Sequence, residues 1–400
     1  MYNVRNVTKD IVWVGASDRR LALFENIFPI QRGVSYNSYV LLDEKTVLLD
    51  TVDSGVAAQF FENLEYVLGN RKLDYLIVNH MEPDHCAMIG DIVRRYPEVQ
   101  IVGNAKTFGM MQQFFGTAFA ERAVTVKEGD TVSTGKHTLH FVMAPMVHWP
   151  EAMVTYDDAD KVLFSADAFG TFGALNGNIF ADEVNFDRDW LPDARRYYTN
   201  IVGKYGASVQ ALLKKAAGLE ISVICPLHGP IWRENLGYIL EKYQKWSTYE
   251  AEDTAVAVLY ASMYGNTASA ADALAGCLAE RGIKNIAVYD VSNVHVSELI
   301  GEIFRVSHLV FATPTYNGGI YPIMENLLSD MKALSVQKKT VALLENGTWA
   351  ASTARQMREK LSELKDVTAL DTQVSVKSAM LANQREELEK LADAIVTSMK

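Results

Sequence analysis

The sequence is poor in cysteine, in clustered basic residues and in long apolar runs. Only three cysteines occur in 400 residues, at Cys86, Cys225 and Cys277, with no CxxC pair among them. That excludes a disulfide scaffold and a cysteine-ligated zinc or iron–sulfur module, and it fits reduced thiols in a cytosol. No stretch of eighteen apolar residues is present, and the N-terminus (MYNVRNVTKD) is polar from the start. Neither a membrane span nor a secretory signal is expected, so the expected location is cytoplasmic. No Lys/Arg-rich run offsets a net charge of −11. Binding to nucleic acid or to an anionic membrane is therefore disfavoured. What remains is an ordinary globular composition, 49% hydrophobic and 22% charged. Its length calls for two or three domains.

Two halves of different pattern meet near residue 250. The first half carries β-like runs at Ser35–Leu42 and Thr46–Leu49, a helical pattern over Val56–Leu68, and an apolar strand at Leu73–Asn79. Further strand-sized runs stand at Gln100–Val102, Thr138–Met143, Lys161–Ser165 and Ile221–Cys225. This alternation of strands and helices predicts a layered α/β domain over residues 1–250. Thr248–Thr254 is polar and acidic, which suits a linker. Beyond it the pattern is βαβ: strands at Ala255–Ala261, Ile286–Asp290, Leu309–Ala312 and Thr340–Leu344, and a helix over Thr267–Arg281. Gln384–Met399 is a closing amphipathic helix with Leu388, Leu391, Ile395 and Met399 on one face. Continuous apolar strands predict a doubly wound parallel sheet over residues 251–400.

The segment NHMEPDHC, Asn79–Cys86, follows a predicted strand and presents His80, Glu82, Asp84 and His85 within six residues. Four such side chains would repel or desolvate one another without a cation. An extended i, i+2, i+4 spacing aims His80, Glu82 and Asp84 to one side, with Pro83 stiffening the turn. His148, Asp167 and His228 each also follow a strand, and strand ends collect on one edge of an α/β domain. All seven are candidate metal ligands. Taken singly, His148 and His228 could be satisfied structural histidines and Asp167 a helix N-cap. His137 and His140 have no acidic neighbours in the sequence and are expected to be structural.

In the second half the loop Ser262, Met263, Tyr264, Gly265, Asn266, Thr267 joins a strand to a helix N-terminus. Its amides and hydroxyls suit a phosphate without a basic side chain. It lacks GxxxxGK[ST] and GxGxxG, which disfavours ATP and dinucleotide binding. Two more loops follow strands: Thr313, Pro314, Thr315, Tyr316, Asn317, Gly318, Gly319, and Glu345, Asn346, Gly347, Thr348, Trp349, Ala350. Tyr316 and Trp349 could sandwich a flat polarisable ring.

The spacing H-x-E-x-D-H, then His148, then Asp167 nineteen residues on, then His228, resembles the metallo-β-lactamase fold. More narrowly it is similar to the flavodiiron proteins. Zinc hydrolases of that fold carry a histidine where this chain has Glu82. The three loops of the second half resemble flavodoxin, although NGTWA replaces the more familiar Tyr-Gly-Trp. The resemblance implies an N-terminal αβ/βα sandwich and a C-terminal flavodoxin-like domain that binds FMN. It implies one iron on His80, Glu82 and His148 and a second on Asp84, His85 and His228, bridged by Asp167 and a solvent oxygen. In some members the histidine matching His85 is turned away from the metal. Phe24, Phe28, Tyr36 and Trp149 are candidate lining. The implied activity is reduction of O2 to water, of NO to N2O, or of both. Electrons would come from an external donor, rubredoxin or a reduced deazaflavin, within a head-to-tail homodimer or a dimer of dimers. The rival readings are a zinc hydrolase with an accessory flavodoxin domain, and an electron carrier with a structural metal.

Overall fold

A computed structural model describes residues 1–399. The chain divides into two compact units. One comprises Met1–Tyr198 and Tyr205–Gln244, and the other comprises Thr199–Lys204 and the segment from Lys245 onward.

The first unit is built on two sheets. Seven strands run in the order Arg5–Asn6, Ile11–Trp13, Tyr39–Leu42, Thr46–Leu49, Tyr75–Ile77, Gln100–Gly103, Ala123–Thr125. They are antiparallel up to Thr46–Leu49 and parallel beyond it. Five more run in the order Thr131–Ser133, Thr138–Met143, Met153–Asp157, Val162–Phe164, Val223–Cys225. Strands such as Thr46–Leu49 and Met153–Asp157 are buried at every residue, so both of their faces are covered. Tyr39 of the first sheet packs on Phe164 of the second with ring centroids 5.4 Å apart. Flanking helices begin and end on local signals. Asn104 caps Ala105–Phe115 by accepting from the amides of Lys106 and Thr107, a contact worth about 1 kcal/mol. Gly116, at φ 69, ends that helix in the left-handed conformation.

The run Ser35–Leu42 is not one strand, contrary to expectation. Val34–Tyr36 pairs with Ala16–Asp18, whereas Tyr39–Leu42 joins the seven-stranded sheet. Between them Asn37 is wholly buried, and its side-chain amide donates to the carbonyls of Pro226 and Gly229 at 2.9 Å each. Those long-range bonds break the strand where the apolar pattern alone continues it.

In the second unit five parallel strands lie in the order Ala287–Asp290, Asp253–Tyr260, Val306–Tyr316, Lys339–Asn346, Val367–Val376. That 2-1-3-4-5 order is the flavodoxin-like doubly wound arrangement. Alternate residues of the first strand serve opposite faces. Ala257 and Leu259 pack with Ile300, Ile303, Leu327 and Met357, and Val256 and Val258 with Leu274, Leu388, Leu391 and Ile395. Burying each such aliphatic side chain stabilises the unit by about 1.5–3 kcal/mol. The edge strand Val367–Val376 carried no sequence signal because its residues are mostly exposed or half-buried and many are polar.

Lys339 opens a central strand and is 4% exposed. Its Nζ donates to the carbonyls of Phe304 at 3.1 Å and Val306 at 2.7 Å. Burial pushes its pKa down to about 7. An unfolded lysine titrates near 10.4, so between pH 7 and about 10 the unfolded chain holds a proton that the folded chain has released. Stability should therefore rise with pH across that window, and Lys339→Met should flatten the rise. Denaturant unfolding of both proteins at pH 7 and 9.5 checks this; equal pH slopes would contradict it.

Candidate metal centre and cofactor cleft

The seven candidate ligands sit on loops that leave the strand ends of the first unit. His80 and Glu82 follow Tyr75–Ile77, while Asp84 and His85 lie in the short helix Pro83–Cys86. His148 lies between Thr138–Met143 and Met153–Asp157, and Asp167 and His228 follow Val162–Phe164 and Val223–Cys225. The sequence 80–84 is not extended throughout, since the helix begins at Pro83. This turn sorts the side chains into two groups: His80, Glu82, His148 and Asp167 form one, and Asp84, His85 and His228 the other.

Within the first group, His148 Nε2 stands 3.0 Å from Glu82 Oε2 and 3.1 Å from Asp167 Oδ2, and His80 Nε2 stands 3.2 Å from Asp167 Oδ2. Within the second, Asp84 Oδ2 is 3.3 Å from Nε2 of both His85 and His228. Asp167 addresses both groups, with Oδ2 towards His80 and His148 and Oδ1 3.3 Å from His85 Nε2. His85 is not turned away: its Nε2 lies 3.0 Å from that of His228.

Three observations bear on whether these groups suit metal ions. First, both carboxylate oxygens of Asp84 and of Asp167 are buried yet accept no hydrogen bond. Such orphaned acceptors are costly unless a cation completes them. Second, His228 donates from Nδ1 to the Ser35 carbonyl, so its Nε2 presents a lone pair 3.0 Å from His85 Nε2, which a proton or a metal ion can share. Third, donors about 3 Å apart match neighbouring ligands at right angles around an ion with bonds near 2.1 Å.

Further contacts fix the ring orientations. His228 Nδ1 donates to the Ser35 carbonyl at 2.8 Å, and His80 Nδ1 meets Glu151 Oε1 at 2.9 Å. In each ring Nε2 is left to face the site. Asp50 anchors the loop by accepting from the Asn79 amide and side chain at 2.7 Å each and from the His80 amide at 3.2 Å. Burial pushes the Asp50 carboxyl up to about 6 against those bonds.

Burial alone would raise the Asp167 carboxyl, but His80, His148 and His85 outweigh it and hold it well below its ordinary range. Burial likewise opposes charge on His148, yet Asp167 and Glu82 push its pKa up to about 9. In the metal-free chain, protons on imidazoles thus balance the carboxylates.

Of the expected lining, Phe24 and Tyr36 pack on His228 with centroids 5.4 and 5.7 Å away, and Trp149 packs on His80 at 5.4 Å. Phe28 instead packs on Phe172. Tyr197 also covers His228, at 5.4 Å. His137 does have acidic partners, contrary to the sequence reading: its Nδ1 lies 2.9 Å from Asp157, with Asp10 beyond its Nε2. These partners come from the end of strand Met153–Asp157 and from the bend at Asp10, and leave no local pattern. Asp50, Glu151 and Tyr197 were missed as site residues. Asp50, at the end of the run Thr46–Leu49, and Glu151, three residues past His148, were the legible ones.

In the second unit a cavity of about 510 Å³ is lined by Ser262, Met263, Tyr264, Asn266, Thr267, Pro314, Thr315, Asn317, Gly318, Asn346, Gly347, Thr348, Trp349 and Ala350, and also by Ser378. Gly265, Tyr316 and Gly319 are not among its walls. Gly265 shapes the first loop at φ 91, and Tyr316 packs edge-on against Tyr321 at 5.7 Å. Trp349 is 94% exposed at the rim. Ser378 follows the unrecognised edge strand, and its amide donates to Asn346 Oδ1 at 3.1 Å. No lysine or arginine lines the cavity.

The fold and site define a metallo-β-lactamase-like unit with two adjacent carboxylate-rich groups of metal-competent side chains, joined to a flavodoxin-like unit. Comparison with known proteins agrees. Residues 34–229 match the ODP family beta lactamase, and residues 258–392 match flavodoxin. The chain is 31% identical over 385 residues to an anaerobic nitric oxide reductase flavorubredoxin of Vibrio vulnificus, covering 93% of this chain and 75% of that one. The structure of a rubredoxin oxygen:oxidoreductase from Desulfovibrio gigas superposes with a TM-score of 0.92 at 27% identity, over 99% of this chain and 98% of the other. The flavodiiron protein of Giardia intestinalis shares the fold with a TM-score of 0.92 at 24% identity, over 100% and 98%. The chain belongs to the flavodiiron family.

Metal uptake by the metal-free chain must displace imidazole protons, so it should release acid. Protonated His148 competes below its pKa, so apparent affinity for a divalent ion should rise as pH increases towards 9. Titration with Mn2+ in weakly buffered solution, with a pH indicator, checks both. Uptake without proton release would refute the balance described.

Proposed function

We propose that the chain is a flavodiiron reductase of oxygen, of nitric oxide, or of both. The observation that carries this reading is Asp167, which offers one carboxylate oxygen to each of the two ligand groups. The first metal would be held by His80, Glu82 and His148, the second by Asp84, His85 and His228, with Asp167 shared. Glu82 supports iron over zinc, because a carboxylate oxygen is a harder donor than imidazole and favours a ferric ion.

When bound, two ferrous ions and a reduced flavin mononucleotide supply four electrons, enough for O2 + 4H+ + 4e− → 2H2O; nitric oxide needs two, in 2NO + 2H+ + 2e− → N2O + H2O. The protein's part is to bind, orient and exclude water. Phe24, Tyr36, Trp149 and Tyr197 wall the histidines with aromatic rings, which admits a small apolar gas more readily than bulk water.

In the second unit the loop Ser262–Thr267 suits the FMN phosphate through main-chain amides and hydroxyls at the N-terminus of helix Asn266–Glu280. Gly347 supports a close backbone approach: a Cβ there would stand 2.8 Å from the Ala350 carbonyl and from Ala351. Trp349, exposed at the cavity rim, would cover one face of the ring. The relatives' names, flavorubredoxin and rubredoxin oxygen:oxidoreductase, support rubredoxin as the electron donor; a reduced deazaflavin is the second candidate. A head-to-tail dimer would bring one protomer's flavin to its partner's metal pair. Three buried free cysteines, and no described helix long enough to cross a membrane, suit a cytoplasmic enzyme.

Anaerobically purified protein should hold about two irons per chain and a yellow flavin. Stopped-flow mixing of the reduced protein with each gas should oxidise flavin and iron together and rank the substrates. A lone zinc with hydrolytic turnover would overturn the reading. Gly347→Ala should weaken FMN binding about tenfold or more, since the loop must shift to admit the methyl. Fluorescence titration of the flavin-free protein with FMN measures that loss.

A further inference from the structure

Glu151 lies in the turn after His148 and is 1% exposed. Its Oε1 accepts from His80 Nδ1 at 2.9 Å and from the Met81 amide at 2.8 Å. Its Oε2 is buried and has no hydrogen-bond partner. Its main chain is held from the other side, since Asn104 Nδ2 donates to the Glu151 carbonyl at 2.6 Å while Asn104 Oδ1 caps the helix Ala105–Phe115. Among the described residues no lysine or arginine pairs with this carboxylate.

Two consequences follow from that placement. A carboxylate only accepts, so the proton of a neutral His80 sits on Nδ1, and its Nε2 lone pair is directed at the centre shared with Glu82 and Asp167. An uncompensated buried anion one imidazole away from a metal pair also stabilises the more highly charged, oxidised state. Asp50 does not set a ring tautomer, because it accepts from main-chain amides and an amide side chain rather than from an imidazole.

We propose that Glu151 is a positioning residue: it fixes His80 as an Nε2 donor, and its fixed charge lowers the reduction potential of the metal pair. This rests on the di-iron reading above. The two roles separate by substitution. Glu151→Gln keeps an oxygen acceptor for His80 and Met81 but removes the charge, whereas Glu151→Ala removes both.

In the full-length protein, Glu151→Gln should retain iron. The midpoint potential of its metal pair, followed by EPR during a redox titration, should rise by about 59 mV, a tenfold shift of a one-electron equilibrium towards the ferrous form. The flavin midpoint, read on the same sample, should stay unchanged. Glu151→Ala should lose iron to a chelator with about 10–100-fold weaker affinity, while its circular dichroism and melting temperature report an intact fold. A Glu151→Gln protein with two irons and the wild-type potential overturns the charge role. A folded Glu151→Ala protein that keeps iron as tightly as the wild type overturns the positioning role. If Glu151→Ala does not fold, Glu151→Gln still decides the charge role, and Glu151→Leu, which keeps the volume without an acceptor, decides the positioning role by the same chelator measurement. A wild-type chain without iron at these side chains would sink the di-iron reading itself, whereas failure of the variants alone would sink only this inference.

Discussion

A buried carboxylate whose oxygens lack a well-formed hydrogen bond, Asp167, faces four imidazoles and the Glu82 carboxylate. An ion in such a place loses several kcal/mol of hydration, and only an opposite charge at close range offsets that. In the metal-free chain, protons on His80 and His148 provide part of the offset. A divalent ion can supply more, and from one point. The rest of the first unit can be understood as the means of holding these charges together. Each ligand leaves the end of a buried strand, and each loop is tied by bonds that do not involve the ligand atoms themselves. Ser35 holds His228, Asp50 holds the 79–80 main chain, and Thr51 donates its amide and hydroxyl to the His85 carbonyl at 2.9 and 2.7 Å.

The second unit solves a different problem with the same strategy. Its sheet is covered on both faces by helices, so the strands can be apolar throughout and rigid. Chemistry is left to the loops at the strand ends, where backbone amides can donate to a ligand's acceptor atoms. The cavity has no basic side chain, so its fit to a phosphate depends on main-chain geometry more than on net charge. That explains why an acidic protein can carry such a site.

The legible parts of the sequence were those whose signal is local. The ligand-rich NHMEPDHC segment sits in consecutive residues, and the strands of the second unit are short apolar runs bounded by polar loops. The sorting of ligands into two groups was not legible from spacing, because it depends on the helix that starts at Pro83. The acidic partners of His137 were hidden for a related reason, as Asp10 and Asp157 arrive from segments remote in the chain. The strand Val367–Val376 failed the apolar test because an edge strand keeps much of its surface in water. Glu151 lay three residues from a recognised ligand, yet nothing in HWPEAM says which way its side chain turns. Asn104 holds its main chain, and its carboxylate accepts from the His80 ring and the Met81 amide.

Glu82 bears on why one fold can serve hydrolysis in some proteins and electron transfer in others. A neutral imidazole in its seat would leave the site with two carboxylates, Asp84 and Asp167, against two dications. Such a site is strongly electropositive, which suits the polarising of a bound water. With Glu82 in place, a third negative charge is added directly at the ions, and the cost of removing an electron from them falls. The buried Glu151 carboxylate acts in the same direction from one hydrogen bond further out. The two residues are therefore not equivalent. Glu82 changes both the donor atom and the charge, whereas Glu151 changes charge while leaving the donor atom at His80 Nε2. A site of fixed shape can in this way have its electron affinity adjusted from the surrounding layer without disturbing the ligands that hold the ions.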